Sequence, residues 1–315
     1  MRIKISTFLI ICVLILIVVS VLSLVLGSVN FTLNKEILKL RFFRIVLAII
    51  AGGGLALAGL ILQALLRNPL AEPYVLGVSS GSGLGAVIGL LFFERMIFAN
   101  SFGFIGGILT IILVSELAKV NKRTSSENMI IAGIIVNALF SSILMFFVSN
   151  SFSPKIHSVI WWLLGNLQVY KLSNVIIPGI ILLAGLFITQ FYSKELNAMS
   201  LGEEEALHLG VNVEVVKKIL LITATLVTSI IVSMCGIIGF VGLMIPHMAR
   251  RLIGPDHRKL VPASVLMGGI FLLICDLISR TIISPREIPV GVITAFIGVP
   301  FFIYILRRTR KVYFK

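Results

Sequence analysis

The chain has 315 residues, of which 58% are hydrophobic and 13% charged, and its mean hydropathy is +1.11. Soluble domains have roughly 45–50% apolar and about 25% charged residues, so this composition excludes a water-soluble globule and predicts a membrane protein. The 27 Lys and Arg against 13 Asp and Glu give a net charge of +14. In a membrane protein, Lys and Arg are concentrated in cytoplasmic loops, so an excess of cations indicates how the chain is oriented in the membrane. We therefore expect no nucleic-acid partner.

Hydrophobic runs divide the chain into ten predicted membrane spans. A spanning helix needs about 20 mostly apolar residues, so ten spans leave no room for a large soluble domain. The first run is longer than the apolar part of a secretory signal, which predicts an uncleaved helix. The eighth run is short for a span. The spans are predicted at 7–27, 43–65, 83–98, 103–118, 129–149, 174–192, 219–236, 238–249, 262–279 and 289–306.

The distribution of cations predicts a multi-pass protein of the cytoplasmic membrane, in contact with its lipid, with both termini in the cytoplasm. With the N-terminus inside and ten crossings, about two thirds of the Lys and Arg residues fall in cytoplasmic loops. The other cations, among them Arg41, Arg44 and Arg280, fall on the outer side. Glycines at helical spacing, such as Gly81 and Gly85, predict close packing between helices.

Motifs of catalysis are absent from the sequence. It contains no GxxxxGK[ST] loop for ATP phosphates, no HExxH and no nucleophile elbow. We therefore predict that the chain is not an enzyme and has neither catalytic residues nor a cofactor. If ATP drives its activity, another subunit supplies the hydrolysis. Cys12, Cys235 and Cys275 lie in apolar runs without metal-ligand spacing, so no metal site is predicted.

The longest polar insertion, at about 193–218, predicts a short cytoplasmic helix. Ser200 and Glu203 have the spacing of a capping box, and Gly210 offers a left-handed end to the helix. Acidic residues in a first turn favour a helix through its dipole. The apolar residues of this segment need a surface to cover, either on the chain's own bundle or on a cytoplasmic partner. These residues are Leu201, Ala206, Leu207 and Leu209.

Three strings occur in order along the chain: NPLAEP within 52–85, GFVGLMIPH within 235–259 and IPVGVITA within 286–306. Together they make the sequence resemble, over essentially its whole length, the permease subunits of bacterial iron-siderophore, heme and cobalamin ABC importers (the FecCD family). The resemblance implies an all-α, polytopic, BtuC-like fold of about ten transmembrane helices, in which residues 1–315 form a single permease domain.

The resemblance also implies partners and site residues. A second permease subunit, identical or related, would complete the pathway, two cytoplasmic ABC ATPase subunits would drive it, and an extracytoplasmic substrate-binding protein would deliver the cargo. The loop at about 193–218 would carry the coupling helix that contacts the ATPase. The matching coupling positions are Gly202, Glu203, Glu204, Ala206, Leu207, Leu209 and Gly210.

Arginines on the outer face of such permeases pair with glutamates of the binding protein, and the matching positions are Arg41, Arg44 and Arg280. Arginine suits this role because its planar group binds a carboxylate through two donors and stays charged. The alternative is a set of local salt bridges, with Glu36 and Glu287 nearby. The role of Asp276 is equally undecided, since a half-buried Asp often stabilises an adjacent cation such as Arg280.

The fifth span carries Asn137, Ser141 and Ser142 inside an apolar run, and polar groups at membrane depth usually face a cavity or a neighbouring helix. The resemblance implies that this span lines the translocation path. Hydrogen bonding between helices explains the same residues equally well.

The four histidines lie in different predicted segments, so they do not predict a binding site for a bare metal ion. A chelate needs no protein ligands to its metal, which favours a ferric siderophore as cargo, with heme or cobalamin as alternatives. An ion-coupled secondary transporter is a different class. It would be expected to carry ionisable residues at the membrane midplane, where this sequence has almost none.

Overall fold

The structure is a computed structural model that describes residues 4–27, 34–93, 95–120, 123–150, 156–169 and 171–313. Within these ranges the chain is almost entirely helical, and the strands β1 and β2 form one two-residue hairpin between α4 and α5. The elements are α1 Ile5–Val25, α2 Lys35–Leu65, α3 Val78–Phe93, α4 Met96–Leu117, β1 Lys119–Val120, β2 Arg123–Thr124, α5 Ser126–Asn150, α6 Ile156–Leu163, α7 Ser173–Phe191, α8 Ser193–Met199, α9 Glu203–His208, α10 Val213–Cys235, α11 Val241–Ile253, α12 His257–Thr281 and α13 Val290–Tyr313.

Ten of these helices correspond to the ten predicted spans. Seven, namely α1, α2, α4, α5, α7, α10 and α12, contain stretches long and apolar enough to cross a membrane. The helix α3 and residues 290–305 of α13 are shorter apolar segments, and α11 has 13 residues. The all-helical, ten-helix, multi-pass architecture is therefore confirmed.

Several predicted boundaries were wrong, among them the end of the third span, which was predicted at 98 although α3 ends at Phe93. Two of the differences have a clear physical reason. The helix α2 begins at Lys35, eight residues before the apolar run, because Asn34 caps it by accepting a hydrogen bond from Glu36 N at 2.9 Å. The helix α3 begins at Val78, and not at residue 83, because a small-residue segment of low hydropathy forms its first turn. Hydrophobicity marks where a helix is apolar and does not mark where its backbone becomes helical.

The capping box predicted at Ser200 is also wrong. The Ser200 hydroxyl donates to the carbonyl of Leu196 at 2.8 Å, so Ser200 ends α8 and does not begin α9. Gly202 stands at the N-cap of α9 without a side-chain cap. The predicted left-handed end is confirmed, because Gly210 has a φ of +81°.

Glycines let the helices approach closely at the centre of the bundle. A Cβ added to Gly52 would lie 2.1 Å from the carbonyl oxygen of Gly268, which brings α2 against α12. A Cβ on Gly59 would lie 1.9 Å from the Gly242 carbonyl oxygen, which does the same for α2 and α11. The predicted packing role is confirmed for Gly85, whose added Cβ would lie 2.2 Å from the Phe102 carbonyl oxygen of α4.

The two ends of the bundle differ in chemistry. The arginine end is the end where α1 and α12 finish and α2 begins, and it contains Arg41, Arg44 and Arg280. The loop end is the opposite end, where α8 and α9 lie beside the start of α12. All the candidate coupling residues are at the loop end, and all the candidate docking arginines are at the arginine end.

Candidate functional site

The predicted coupling residues divide into an inward and an outward set. Gly202 and Ala206 are buried, and the apolar core holds Ala206 in place. Leu207 and Leu209 are 51% and 66% exposed, and Leu201 beside them is 70% exposed. The outward set consists of Glu204, Leu207, Leu209 and Gly210, all of which are exposed. Exposed apolar side chains grouped on and beside a short, anchored helix are typical of a protein contact. Of the four apolar residues predicted to need a surface, the chain's own bundle covers only Ala206.

Glu203, the first residue of α9, faces inward and binds Lys217 of α10. The Lys217 Nζ lies 2.9 Å from Glu203 Oε1, and the Lys217 side chain is 1% exposed. Burial by itself raises the pKa of Glu203, but Lys217, Ser126 and Arg67 together lower it below its usual value. Glu203 is therefore a carboxylate at neutral pH, and the pair fixes α9 to α10.

The preceding helix, α8, is tied to the start of α12 by Asn197. Its Nδ2 donates to Asp256 Oδ1 at 2.9 Å, and its Oδ1 accepts from the backbone N–H of His257 at 2.8 Å. Although burial raises the pKa of Asp256, hydrogen bonds from Asn197 and Arg258 lower it to about 2. The whole segment from α8 to α9 is thus attached to the bundle by polar contacts at both of its helices.

At the arginine end, two guanidinium groups cap the C-terminus of α1. Arg41 Nη1 donates to the carbonyls of Leu24 and Val25 at 2.7 and 2.9 Å. Arg280 donates to the Ser23 carbonyl at 3.3 Å and to the Ser23 hydroxyl. The last carbonyls of a helix lack partners within the helix and carry its negative dipole end, so cations stabilise them.

The same end holds a buried cluster of ions around Asp276. Its Oδ1 accepts from Arg44 Nε at 2.7 Å, and its Oδ2 lies 2.9 Å from Arg280 Nε, at an angle unsuited to a hydrogen bond. Arg44 Nη1 also donates to Glu287 at 2.8 Å. The local salt bridges that the sequence offered as the alternative to docking are therefore present. Asp276 pairs with Arg280, and Glu287 pairs with Arg44.

All three candidate docking arginines are largely enclosed. Arg41 and Arg280 are 8% and 3% exposed, and the Arg44 side chain is 12% exposed. Glu287, at 23%, is the most accessible member of the ion cluster. The structure gathers the three arginines at one end of the bundle but directs their charge into the chain. Their role in docking a partner stays a prediction.

The candidate path residues do not form a cluster. Asn137 and Ser141 are half-buried on one face of α5, whereas Ser142 is exposed and donates to the Ala138 carbonyl of its own helix at 2.8 Å. The side-chain oxygen of Asn137 is buried and has no hydrogen-bond partner among the described residues. Much of α5 is exposed and apolar, including Ile134, Ile135 and Leu139.

An apolar cavity of about 720 Å³ lies beside the break between α10 and α11, and sequence reasoning missed Glu72, the carboxylate in its described lining. Its walls come from α6, the break and α13, and Glu72 of the loop before α3 reaches it. Phe240 lines the same cavity with a φ of +69°, a left-handed conformation that is costly for a residue with a side chain. Glu72 lies in the NPLAEP string, but only the fold shows that it borders this cavity.

Glu72 predicts a measurable pH dependence. Burial raises its pKa from 4.5 to about 7, and a backbone hydrogen bond from Phe240 offsets part of this. Because the pKa in the folded state is raised, the stabilisation due to Glu72 is complete at low pH and is lost as the pH rises through about 7. Thermal unfolding in detergent between about pH 5 and 8.5 should show a larger loss of stability in the wild type than in Glu72→Gln. Equal slopes in the two proteins would contradict this assignment.

In the described ranges, no three His, Cys, Asp or Glu residues lie close enough together to hold a metal ion. His208, His247 and His257 lie on three different helices, and the side chain of His157 is outside the described set. The described cysteines are free and buried.

Residues 4–308 match the model of the FecCD transport family. Two curated relatives are similar over most of their length. The cobalamin import system permease protein BtuC of Halobacterium salinarum is 38% identical over 85% of this chain and 72% of its own. The Fe(3+)-citrate import system permease protein YfmE of Bacillus subtilis is 36% identical over 93% of this chain and 92% of its own.

A solved structure has the same fold. It is an ABC transporter assigned to the metal-chelate type in an inward-facing conformation, and it superposes with a TM-score of 0.89 at 30% identity. The match covers 96% of this chain and 99% of that one, so the helices aligned include those of both ends of the bundle.

Proposed function

The chain belongs to the FecCD transport family and is a permease of an ABC importer, and from this premise we propose that it moves a ferric-siderophore complex across the cytoplasmic membrane. Alternating access would be energised by a separate ATPase subunit. The observation that supports a chelate as cargo is the 720 Å³ cavity, whose described lining is apolar apart from Glu72 and Tyr74. A chelate brings its own metal ligands, and an apolar wall suits its organic shell.

Two other cargoes and one other class remain as alternatives. Cobalamin and heme are also large chelates, and one similar permease is named for cobalamin import. A secondary transporter would need an ionisable site at the membrane midplane for ion coupling. The described ion pairs lie instead at the two ends of the bundle, which favours an external energy source.

The partners follow from the surfaces. The exposed apolar face of α5 would pack against a second permease subunit, and Asn137, Ser141 and Ser142 would then lie near the path between the two copies. In each of the two permease subunits, the outward set on α9 would enter a groove of one ATPase subunit. The loop end would therefore be cytoplasmic, together with both termini, and the arginine end would receive the extracytoplasmic substrate-binding protein.

Docking of the binding protein at the arginine end makes two predictions of opposite sign. Arg44→Gln removes a guanidinium group that could bind a partner carboxylate, and we expect binding about tenfold weaker. Glu287→Gln releases Arg44 from a competing carboxylate, and we expect tighter binding. Both effects should shrink at high salt, because salt screens the attraction between the charged partner and the arginine end as the two approach. Affinities measured by surface plasmon resonance that change in neither variant would contradict docking at this end.

The cargo is tested by uptake in a deletion strain with and without this chain. The probes are radiolabelled iron presented as ferrichrome, ferric citrate and heme, and cobalt-labelled cobalamin. Loss and rescue of uptake of a ferric siderophore supports the proposal. Loss of heme or cobalamin uptake alone would keep the importer and replace its cargo.

A further inference from the structure

Three polar side chains from three helices meet at one carboxylate oxygen at the loop end. Lys217 Nζ of α10 lies 2.9 Å from Glu203 Oε1, and the hydroxyl of Ser126, the first residue of α5, lies 2.9 Å from the same atom. Lys217 and Ser126 are 1% and 8% exposed. The carboxylate of α9 is therefore in contact with both α5 and α10 inside the protein.

The Ser126 hydroxyl stands between two acceptors. Its single proton can go to Glu203 Oε1 at 2.9 Å or to the carbonyl of Leu65, at the end of α2, at 3.2 Å. Both acceptors are within hydrogen-bond distance, so the hydroxyl has a hydrogen-bond partner in either of its two orientations. The hydroxyl at the start of α5 thus has two acceptors within reach, one on α9 and one on α2.

The Lys217 contact differs from the Ser126 contact in strength. Separating the Lys217 ammonium group from the Glu203 carboxylate is costly, because the Lys217 side chain is 1% exposed and its charge has lost most of its water. Glu203 and Lys217 should therefore move together, which makes α9 and α10 one unit. The hydrogen bond from Ser126 has only one charged partner, the Glu203 carboxylate, so it is weaker than the ion pair. When it breaks, the Leu65 carbonyl offers the hydroxyl another acceptor.

We propose that Ser126 is a positioning residue that passes movement of α9 to α5 by exchanging its hydrogen bond between Glu203 and the Leu65 carbonyl. This inference rests on the proposed function, in which an ATPase moves α9. Displacing the α9–α10 unit breaks the Ser126–Glu203 bond, and the hydroxyl then turns to α2. The helix that receives the signal is α5, which carries Asn137 and Ser141. A contact that can exchange between two partners provides a physical basis for coupling between sites.

The test uses the complex of full-length permease and ATPase in lipid nanodiscs and needs no cargo. A cysteine replacing Ser141 reports movement of α5 through its rate of reaction with a water-soluble maleimide. The native Cys12, Cys235 and Cys275 are buried, so their background is low. The rate is compared between the nucleotide-free and the ATP–vanadate state, and ATP hydrolysis is measured on the same samples.

We expect ATP–vanadate to change the labelling rate in the parent protein, and Ser126→Ala to reduce that change by roughly threefold or more while hydrolysis stays within about twofold. Ser126→Thr keeps the hydroxyl and should restore the response. A merely structural role would lower thermal stability in Ser126→Ala and leave the labelling response intact, which would overturn the inference. A parent complex that binds no ATPase, or whose labelling ATP never changes, would overturn the proposed function itself.

Discussion

Replacing Asp276 with alanine is expected to destabilise the folded protein by about 3–5 kcal/mol, the usual cost of removing one partner from a buried ion pair. Asp276 is fully buried, and its carboxylate oxygens lie 2.7 Å from Arg44 Nε and 2.9 Å from Arg280 Nε. In the variant, Arg280 would keep the carbonyl of Ser23 but lose its counter-ion. The measurement is the equilibrium unfolding of purified protein in mixed detergent micelles.

The control for Asp276 removes both charges of one pair. In the double variant Asp276→Leu with Arg280→Met, no buried cation loses its partner at residue 280, and Arg44 retains Glu287. Replacing a whole buried pair by apolar side chains is often close to neutral, so the double variant should be more stable than Asp276→Ala. If the double variant is the less stable of the two, replacing the pair by apolar side chains is not close to neutral. The capping of α1 by Arg280 would then contribute more to stability than the ion pair does.

The ion cluster also shows how far sequence reasoning reaches. Asp276 and Arg280 are four residues apart in a helix, so their contact follows from the helical repeat. Arg44 is 232 residues from Asp276, and only the packing of α2 against α12 brings them together. The inward direction of the three arginines could not be read from composition, because outer-face cations look alike until their helix neighbours are known.

The loop end shows the same division. The position of a short acidic helix at 203–208 and its glycine end were predictable from local patterns. The wrong cap at Ser200 arose because the same hydroxyl can serve the end of one helix or the start of the next, and α8 was not foreseen. Contacts such as Ser126 with Glu203, 77 residues apart, depend on tertiary packing alone.

Glu72 illustrates a third kind of gap. Its loop was recognised by sequence, but its unusual environment depends on Phe240 and on the lining of α6 and α13. A carboxyl group takes its pKa from the atoms around it, which come from distant parts of the chain.

A change of Leu207 to aspartate is expected to abolish ATP-driven transport without unfolding the protein. Leu207 is 51% exposed, so its replacement should alter stability by no more than about 0.5 kcal/mol. An apolar anchor at the centre of an interface is typically worth about 2 kcal/mol or more, so binding of the ATPase should weaken by roughly thirtyfold. Pull-down of the ATPase and uptake in proteoliposomes check the two effects together.

Two neighbouring variants make this prediction specific to the outward face of α9. Leu207→Met preserves an apolar side chain of similar volume and should retain both binding and transport. Ala206→Asp places a charge in the core and should lower the free energy of unfolding first, because Ala206 is fully buried. Undiminished ATPase binding by Leu207→Asp, in a protein as stable as the wild type, would show that the exposed leucines of α9 cover something other than the ATPase. Loss of binding in Leu207→Asp alone, with Leu207→Met intact, assigns the contact to the apolar side chain itself.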